Sequence, residues 1–127
     1  MARILIVDDS PSQQLGIRRI VEKLGHEILT AEDGAMGVEV AKAELPDLVL
    51  MDVVMPNLNG FQATRTLSRE PTTKHIPVIL VTTKDQDTDR MWGMRQGAKA
   101  YITKPFSESE LSEVLERVFN SKESPAG

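Results

Sequence analysis

The chain has 127 residues, 40% hydrophobic and 27% charged, with a formal net charge of −4, so one compact domain with a single substantial core is the expectation. It has no cysteine, which excludes disulfides and thiolate zinc sites, and no Lys/Arg cluster that would suit nucleic acid or an anionic membrane surface. No apolar run approaches the length of a membrane span or a secretory signal, which makes the cytoplasm the expected compartment.

Residues 4–7 read as a first strand that closes on Asp8-Asp9. Ser10-Pro11 follows as an N-cap with proline in the first helical turn. Leu15, Ile20, Val21 and Leu24 then outline an apolar stripe, which Gly25 stops. A second strand is predicted over 27–30 and a helix over 35–44. The third strand, 48–51, runs through four apolar residues and closes on Asp52, ahead of a turn from Pro56 to Gly60. A helix over 60–69 ends before Pro71. The fourth strand, 78–81, closes on Thr82-Thr83, and a helix over 86–96 stops at Gly97. The fifth strand, 100–103, leads into Lys104-Pro105. In the last helix Ser107 is placed to cap, Glu110 sits at the capping-box position, and Leu111, Val114, Leu115 and Val118 follow helical spacing. Residues 121–127 carry no core-forming side chains and are predicted to be a loose tail behind a domain spanning 1–120.

The runs 4–7, 48–51 and 78–81 are continuously apolar, as central strands covered on both faces are, while 27–30 and 100–103 look like outer strands. Five strands alternating with five helices predict an α/β fold: a doubly wound, five-stranded parallel sheet. Ligands of such sheets bind just beyond the carboxyl ends of the strands. There the chain would gather Asp8, Asp9 and Asp52, the hydroxyls of Thr82 and Thr83, and the Lys104 ammonium. Crowded carboxylates repel one another, and Mg2+ removes that repulsion while keeping room for waters and a phosphate. Lys104 and Thr82 could then face phosphoryl oxygens, and Asp52 is the natural nucleophile, since carboxylates form aspartyl-phosphate intermediates. Singly, each acid is as well explained as a turn former or helix cap. The coincidence of compatible groups at four strand ends favours a site.

The segments "ILIVDDS", "LVLMDVVMPNLNG", "VILVTT" and "GAKAYITKPF" together resemble the receiver domain of two-component response regulators, of the single-domain CheY-like kind, over residues 2 to about 120. The resemblance implies a flavodoxin-like fold in which Asp52 accepts a phosphoryl group from the phosphohistidine of a CheA-like histidine kinase. It implies Mg2+ held by Asp9, Asp52 and the Val54 backbone carbonyl, with Asp8 assisting. It assigns the phosphoryl oxygens to Lys104 and Thr82, with Thr83 beside it, and makes Tyr101 the aromatic switch. A cis Lys104–Pro105 bond is also implied, a geometry that only a prolyl bond tolerates readily. Output would pass to a downstream protein through the face formed by the fourth helix, fifth strand and fifth helix. More narrowly, "GFQATRTLSR" and "VTTKDQDTDRMWGMRQGAKAYITKP" are similar to regulators of the chemotaxis-like system that governs type IV pili and twitching motility.

Within that resemblance Val54 and Lys84 occupy positions that tune dephosphorylation. An apolar Val54 cannot order water and Lys84 could shield the site, so slow to moderate self-dephosphorylation is expected. No DNA-binding segment is read after residue 120, which leaves two outputs open, an effector and a phosphate sink for the kinase. Apart from its own phosphoryl transfer and dephosphorylation, no enzymatic activity is expected. An aspartyl-nucleophile phosphatase would want a second acid at position 54, and a dinucleotide site would want a glycine-rich turn where Asp8-Asp9 stands. A monomer is the default, with a phosphorylation-dependent dimer open. His26 and His75 are expected to face solvent. Trp92, Met91 and Met94 read as packing residues, with a partner contact as the alternative, and Gly93 suggests a close backbone approach in the fourth helix.

Overall fold

Side-chain alternation along five short strands decides which helix covers which face of the sheet. In the computed structural model, which describes residues 2–123, the strands are β1 (Arg3–Val7), β2 (Glu27–Ala31), β3 (Leu48–Met51), β4 (Val78–Thr82) and β5 (Ala100–Thr103). They form one parallel sheet in the order β2-β1-β3-β4-β5. Between and after them run α1 (Pro11–Lys23), α2 (Gly34–Glu44), α3 (Gly60–Arg69), α4 (Asp87–Arg95) and α5 (Glu108–Glu123).

Leu5, Val7, Val49, Met51, Val78 and Leu80 join Val38 and Ala41 of α2 and Ala63 and Leu67 of α3 in one core layer. Ile4, Ile6, Leu48, Leu50, Ile79 and Val81 join Ile17 and Val21 of α1 and Leu111, Leu115 and Val118 of α5 in the other. Each central strand is therefore buried on both faces, which explains its uninterrupted apolar run. The edges are β2 and β5, as their mixed composition predicted. The doubly wound five-stranded α/β sheet expected from the sequence is the observed fold.

The helix starts follow their capping residues. Ser10 accepts from Gln13 N–H ahead of Pro11, Asp33 accepts from Met36 N–H, and Asn59 forms a capping box with Gln62. Ser107 and Glu110 exchange the two hydrogen bonds of the predicted box at α5. Gly25 and Gly97 hold φ of 90° and 110° just past α1 and α4, a conformation that favours glycine. Two expectations change. The buried face of α1 is Ile17 and Val21, with Ile20 partly buried, whereas Leu15 and Leu24 are exposed. The predicted stripe had included Leu15 and Leu24 and left out Ile17, whereas only residues pointing at the sheet are covered. The last helix continues through Glu123, past the predicted boundary at 120, and the remaining tail positions 124–127 lie outside the described residues.

Two glycines test how tightly the framework is filled. A Cβ at position 60 would collide with the Asp52 backbone carbonyl, so Gly60→Ala should destabilise the fold by about 1–3 kcal/mol through overpacking. A Cβ at position 16, inside α1, would meet nothing within 4 Å, so Gly16→Ala should stabilise it by up to about 1 kcal/mol. Chemical denaturation of the two variants beside the parent checks both signs.

Candidate functional site

The strand ends converge because the register aligns them. Val7 lies opposite Met51, so Asp8 and Asp52 leave neighbouring strands side by side. The Asp52 N–H donates to the Val7 carbonyl at 2.9 Å, and the Asp8 N–H donates to the Ala31 carbonyl at 3.1 Å. Thr82 lies opposite Thr103, and the Lys104 N–H donates to the Thr82 carbonyl at 2.8 Å. The Lys104–Pro105 bond is cis. Asp8 and Asp52 are buried at 2% and 8% exposure, while Asp9 is exposed. The Lys104 ammonium stands 2.8 Å from Asp8 Oδ2 and 3.6 Å from Asp52 Oδ2, and also donates to Gln13 Oε1.

The remaining oxygens are oriented by the backbone. Asp8 Oδ1 accepts from the Ser10 N–H at 2.9 Å, and Asp52 Oδ1 accepts from the Val53 N–H at 2.7 Å. Burial pushes the Asp52 carboxyl above its ordinary range. The Lys104 ammonium opposes that shift and the Asp8 carboxylate reinforces it, while the Val53 N–H and the Thr82 hydroxyl favour the charged form. One ammonium thus faces two buried carboxylates with a third beside them. Asp8, Asp9 and Asp52 each offer an oxygen, all within 4.8 Å of one another. An oxygen-only, negatively over-charged cluster of this size fits a hard divalent cation such as Mg2+.

Thr82 is fully buried, and its hydroxyl accepts from the Lys84 N–H at 3.3 Å. Thr83 is exposed and lines an apolar groove of about 410 Å3 with Gln13, Ile17, Lys104 and Phe106. The Val54 side chain is 58% exposed at the start of the β3–α3 loop. Tyr101, on β5, is partly buried, donates its hydroxyl to the Lys84 carbonyl at 2.7 Å, and carries the Arg90 guanidinium 5.3 Å from its ring centroid. A Cβ on Gly93 would come within 2.6 Å of Leu80 Cδ1 and 3.1 Å of the Tyr101 ring, the close approach that the sequence suggested.

Sequence reasoning missed Gln13 and Gln14. Gln13 contacts Lys104, and Gln14 Nε2 donates to the carbonyls of Asp8 and Ala31 at 3.2 Å. Their signal was position: the first turn of a helix that starts right after the acidic pair. Trp92, Met91 and Met94 are about half exposed, so the packing reading gives way to the surface one. His75 is exposed as expected. His26 is not simply solvated: it is partly buried, accepts from the Ala2 N–H at 3.1 Å and lies 5.6 Å from the Phe119 ring centroid.

Comparison with known proteins agrees with this geometry. Residues 4–116 match the family described as the response regulator receiver domain. The chain is 57% identical over 118 residues to Protein PilH of Pseudomonas aeruginosa, covering 93% of this chain and 98% of that one. It is similar to the chemotaxis protein CheY4 of Vibrio cholerae, with a TM-score of 0.87 at 30% identity, covering 93% and 98% of the two chains. It is also similar to the receiver domain of a Pseudomonas aeruginosa sensor histidine kinase. There the TM-score is 0.85 at 32% identity, with 91% and 95% covered, and that structure holds a magnesium ion coordinated in the active site cleft.

The chain has one tyrosine, so its phenol can be titrated without overlap. Burial, then the Asp89 carboxylate, push the Tyr101 hydroxyl up to about 12. The fold favours the neutral phenol, so this contribution to stability is complete below about pH 10, the ordinary phenol value, and disappears as pH rises from there through 12. Absorbance near 295 nm should show half-ionisation near pH 12 in the folded protein and near pH 10 in denaturant.

Proposed function

The chain belongs to the response regulator receiver domain family of two-component signalling, and from that membership we propose that Asp52 takes a phosphoryl group from a histidine kinase. The observation that carries this is the Lys104 ammonium, held against Asp8 and Asp52 at the rim where three carboxylate oxygens lie within 4.8 Å. In the transfer an Asp52 carboxylate oxygen attacks phosphorus, an O–P bond forms, the N–P bond of the donor phosphohistidine breaks, and the imidazole leaves with the bonding pair. Asp9, Asp52 and the Val54 carbonyl, with Asp8 assisting, would hold Mg2+, which would supply the positive charge that offsets the crowded acids and the phosphoryl oxygens. Lys104 exchanges part of its contact with Asp8 and Asp52 for a phosphoryl oxygen, and the Thr82 hydroxyl turns to donate to another. Catalysis is confined to this transfer and to hydrolysis of the aspartyl phosphate.

Output follows from Thr82 and Tyr101. The Thr82 hydroxyl, drawn toward a phosphoryl group, gives up its contact with the Lys84 N–H, and the Tyr101 hydroxyl is bonded to the carbonyl of that same residue. The β4–α4 loop is therefore tied to both switch residues, which biases the α4–β5–α5 face between two packings. Partner binding at that face by a monomer, in the cytoplasm, is the effector reading. Among the described residues no helix is long and apolar enough to cross a membrane. The likeness to PilH, with the sequence features of α3 and α4, supports a place in the chemosensory control of type IV pili and twitching motility.

Acetyl phosphate with Mg2+ tests the chemistry directly. Intact mass should show one added phosphoryl group on the parent chain, and none on Asp52→Asn or when Mg2+ is chelated. An equal gain on Asp52→Asn would overturn the assignment. A motility response that Asp52→Asn preserves would exclude a pure phosphate sink.

A further inference from the structure

The loop between β3 and α3 leaves the site directly after Asp52 and is pinned at its base. The Gly60 N–H donates to the Val53 carbonyl at 2.9 Å, and the Val53 N–H is taken by Asp52 Oδ1. Beyond that base, residues 54–58 make no backbone–backbone hydrogen bond among the described residues. Met55 and Leu58 pack against the core layer of α2 and α3, which fixes how deep the loop lies. Its polar tether is a side chain. Asn57 Nδ2 donates to Asp33 Oδ2 at 3.0 Å, while Asp33 Oδ1 accepts from the Met36 N–H at 2.8 Å as the cap of α2. One carboxylate thereby fixes both a helix start and the crest of the loop.

Two further observations show that this junction is built to shape. Asn57 holds φ of 68°, a left-handed conformation that asparagine adopts more readily than most residues. Gly34, beside Asp33, abuts the Leu58 backbone so closely that any Cβ there would overlap the Leu58 carbonyl. The Met36 N–H, then the Asn57 amide, hold the Asp33 carboxyl below its ordinary range, so the tether is a charge-assisted bond at neutral pH.

We propose that Asp33 and Asn57 are positioning residues for the divalent cation: their hydrogen bond orients the loop that presents the Val54 carbonyl to the metal. The pair rests on the Mg2+ site described above and touches neither the ion nor the phosphoryl group. Outer partners that orient metal ligands are commonly worth a factor of ten or more in affinity. The α2 cap and the metal site are coupled through a single carboxylate, although α2 supplies no ligand.

A double-mutant cycle on the full chain, read as the Mg2+ dissociation constant by calorimetry, tests this. Asn57→Gly keeps the left-handed backbone and deletes the amide. Asp33→Ser keeps a good N-cap with a side chain too short to reach both partners. Asn57→Gly should weaken Mg2+ about tenfold, and adding Asp33→Ser to it should cost much less than Asp33→Ser does alone. An unchanged Mg2+ affinity in Asn57→Gly, or strictly additive effects, overturns the proposal. So does a lowered Tm with unaltered Mg2+ binding, because the contact would then serve the fold alone. A parent chain that binds no Mg2+ overturns the site reading itself, and the positioning role with it.

Discussion

One ammonium group stands against two buried carboxylates, and the placement of everything else at the rim answers to it. Lys104 reaches Asp8 at 2.8 Å, across 96 residues of chain, and Asp52 at 3.6 Å. Such a pair is weak evidence for stability, because taking charges out of water costs several kcal/mol per ion. Here the number of acids exceeds the number of cations, and Asp52 is left with a carboxyl that resists ionising. The side chains alone thus leave the cluster with an excess of negative charge. That excess is a reason for a small cation to bind, and a reason for a phosphoryl group to be held once the cation is there.

The sheet supplies the rigidity this arrangement needs. All four residues of β3 are at most 1% exposed, and burying each such side chain is worth roughly 1.5–3 kcal/mol. Asp52 is therefore displaced only by disturbing a strand packed on both faces. The loops above it are held more lightly, and it is there that residues can respond to charge. A fixed floor under adjustable walls suits a reaction in which the acceptor must not move but its surroundings must.

Most of this was readable from the chain. Continuous apolar runs suit central strands of a covered sheet, and their alternation with helical segments predicted the doubly wound fold, whose strand ends placed Asp8, Asp52, Thr82 and Lys104 at one rim. What the sequence withheld depends on direction rather than type. Leu15, two residues before Ile17, points away from the buried face, and Leu24 is the C-cap past the end of α1, yet both look like covered residues in the sequence. Gln13 is an ordinary surface residue until the turn of α1 swings it toward Lys104. The tether from Asn57 to Asp33 joins two polar loop residues, 24 positions apart, that have no periodic pattern to mark them. Trp92 was read as a packing residue with a partner contact as the alternative, but it is about half exposed because α4 rests on the sheet through a glycine.

That glycine has a mechanical consequence. In α4 the single buried residue is Gly93, while Met91, Trp92 and Met94 are about half exposed. The helix sinks no large side chain into the layer beneath it; instead Leu80 and the Tyr101 ring fill the space that a Cβ on Gly93 would need. The Arg90 guanidinium adds to that contact, 5.3 Å from the Tyr101 ring centroid and donating to the Tyr101 carbonyl at 3.3 Å, so a displaced ring would bear directly on the helix. One aromatic ring thus couples the edge strand to a helix backbone, and that helix carries the only indole of the chain.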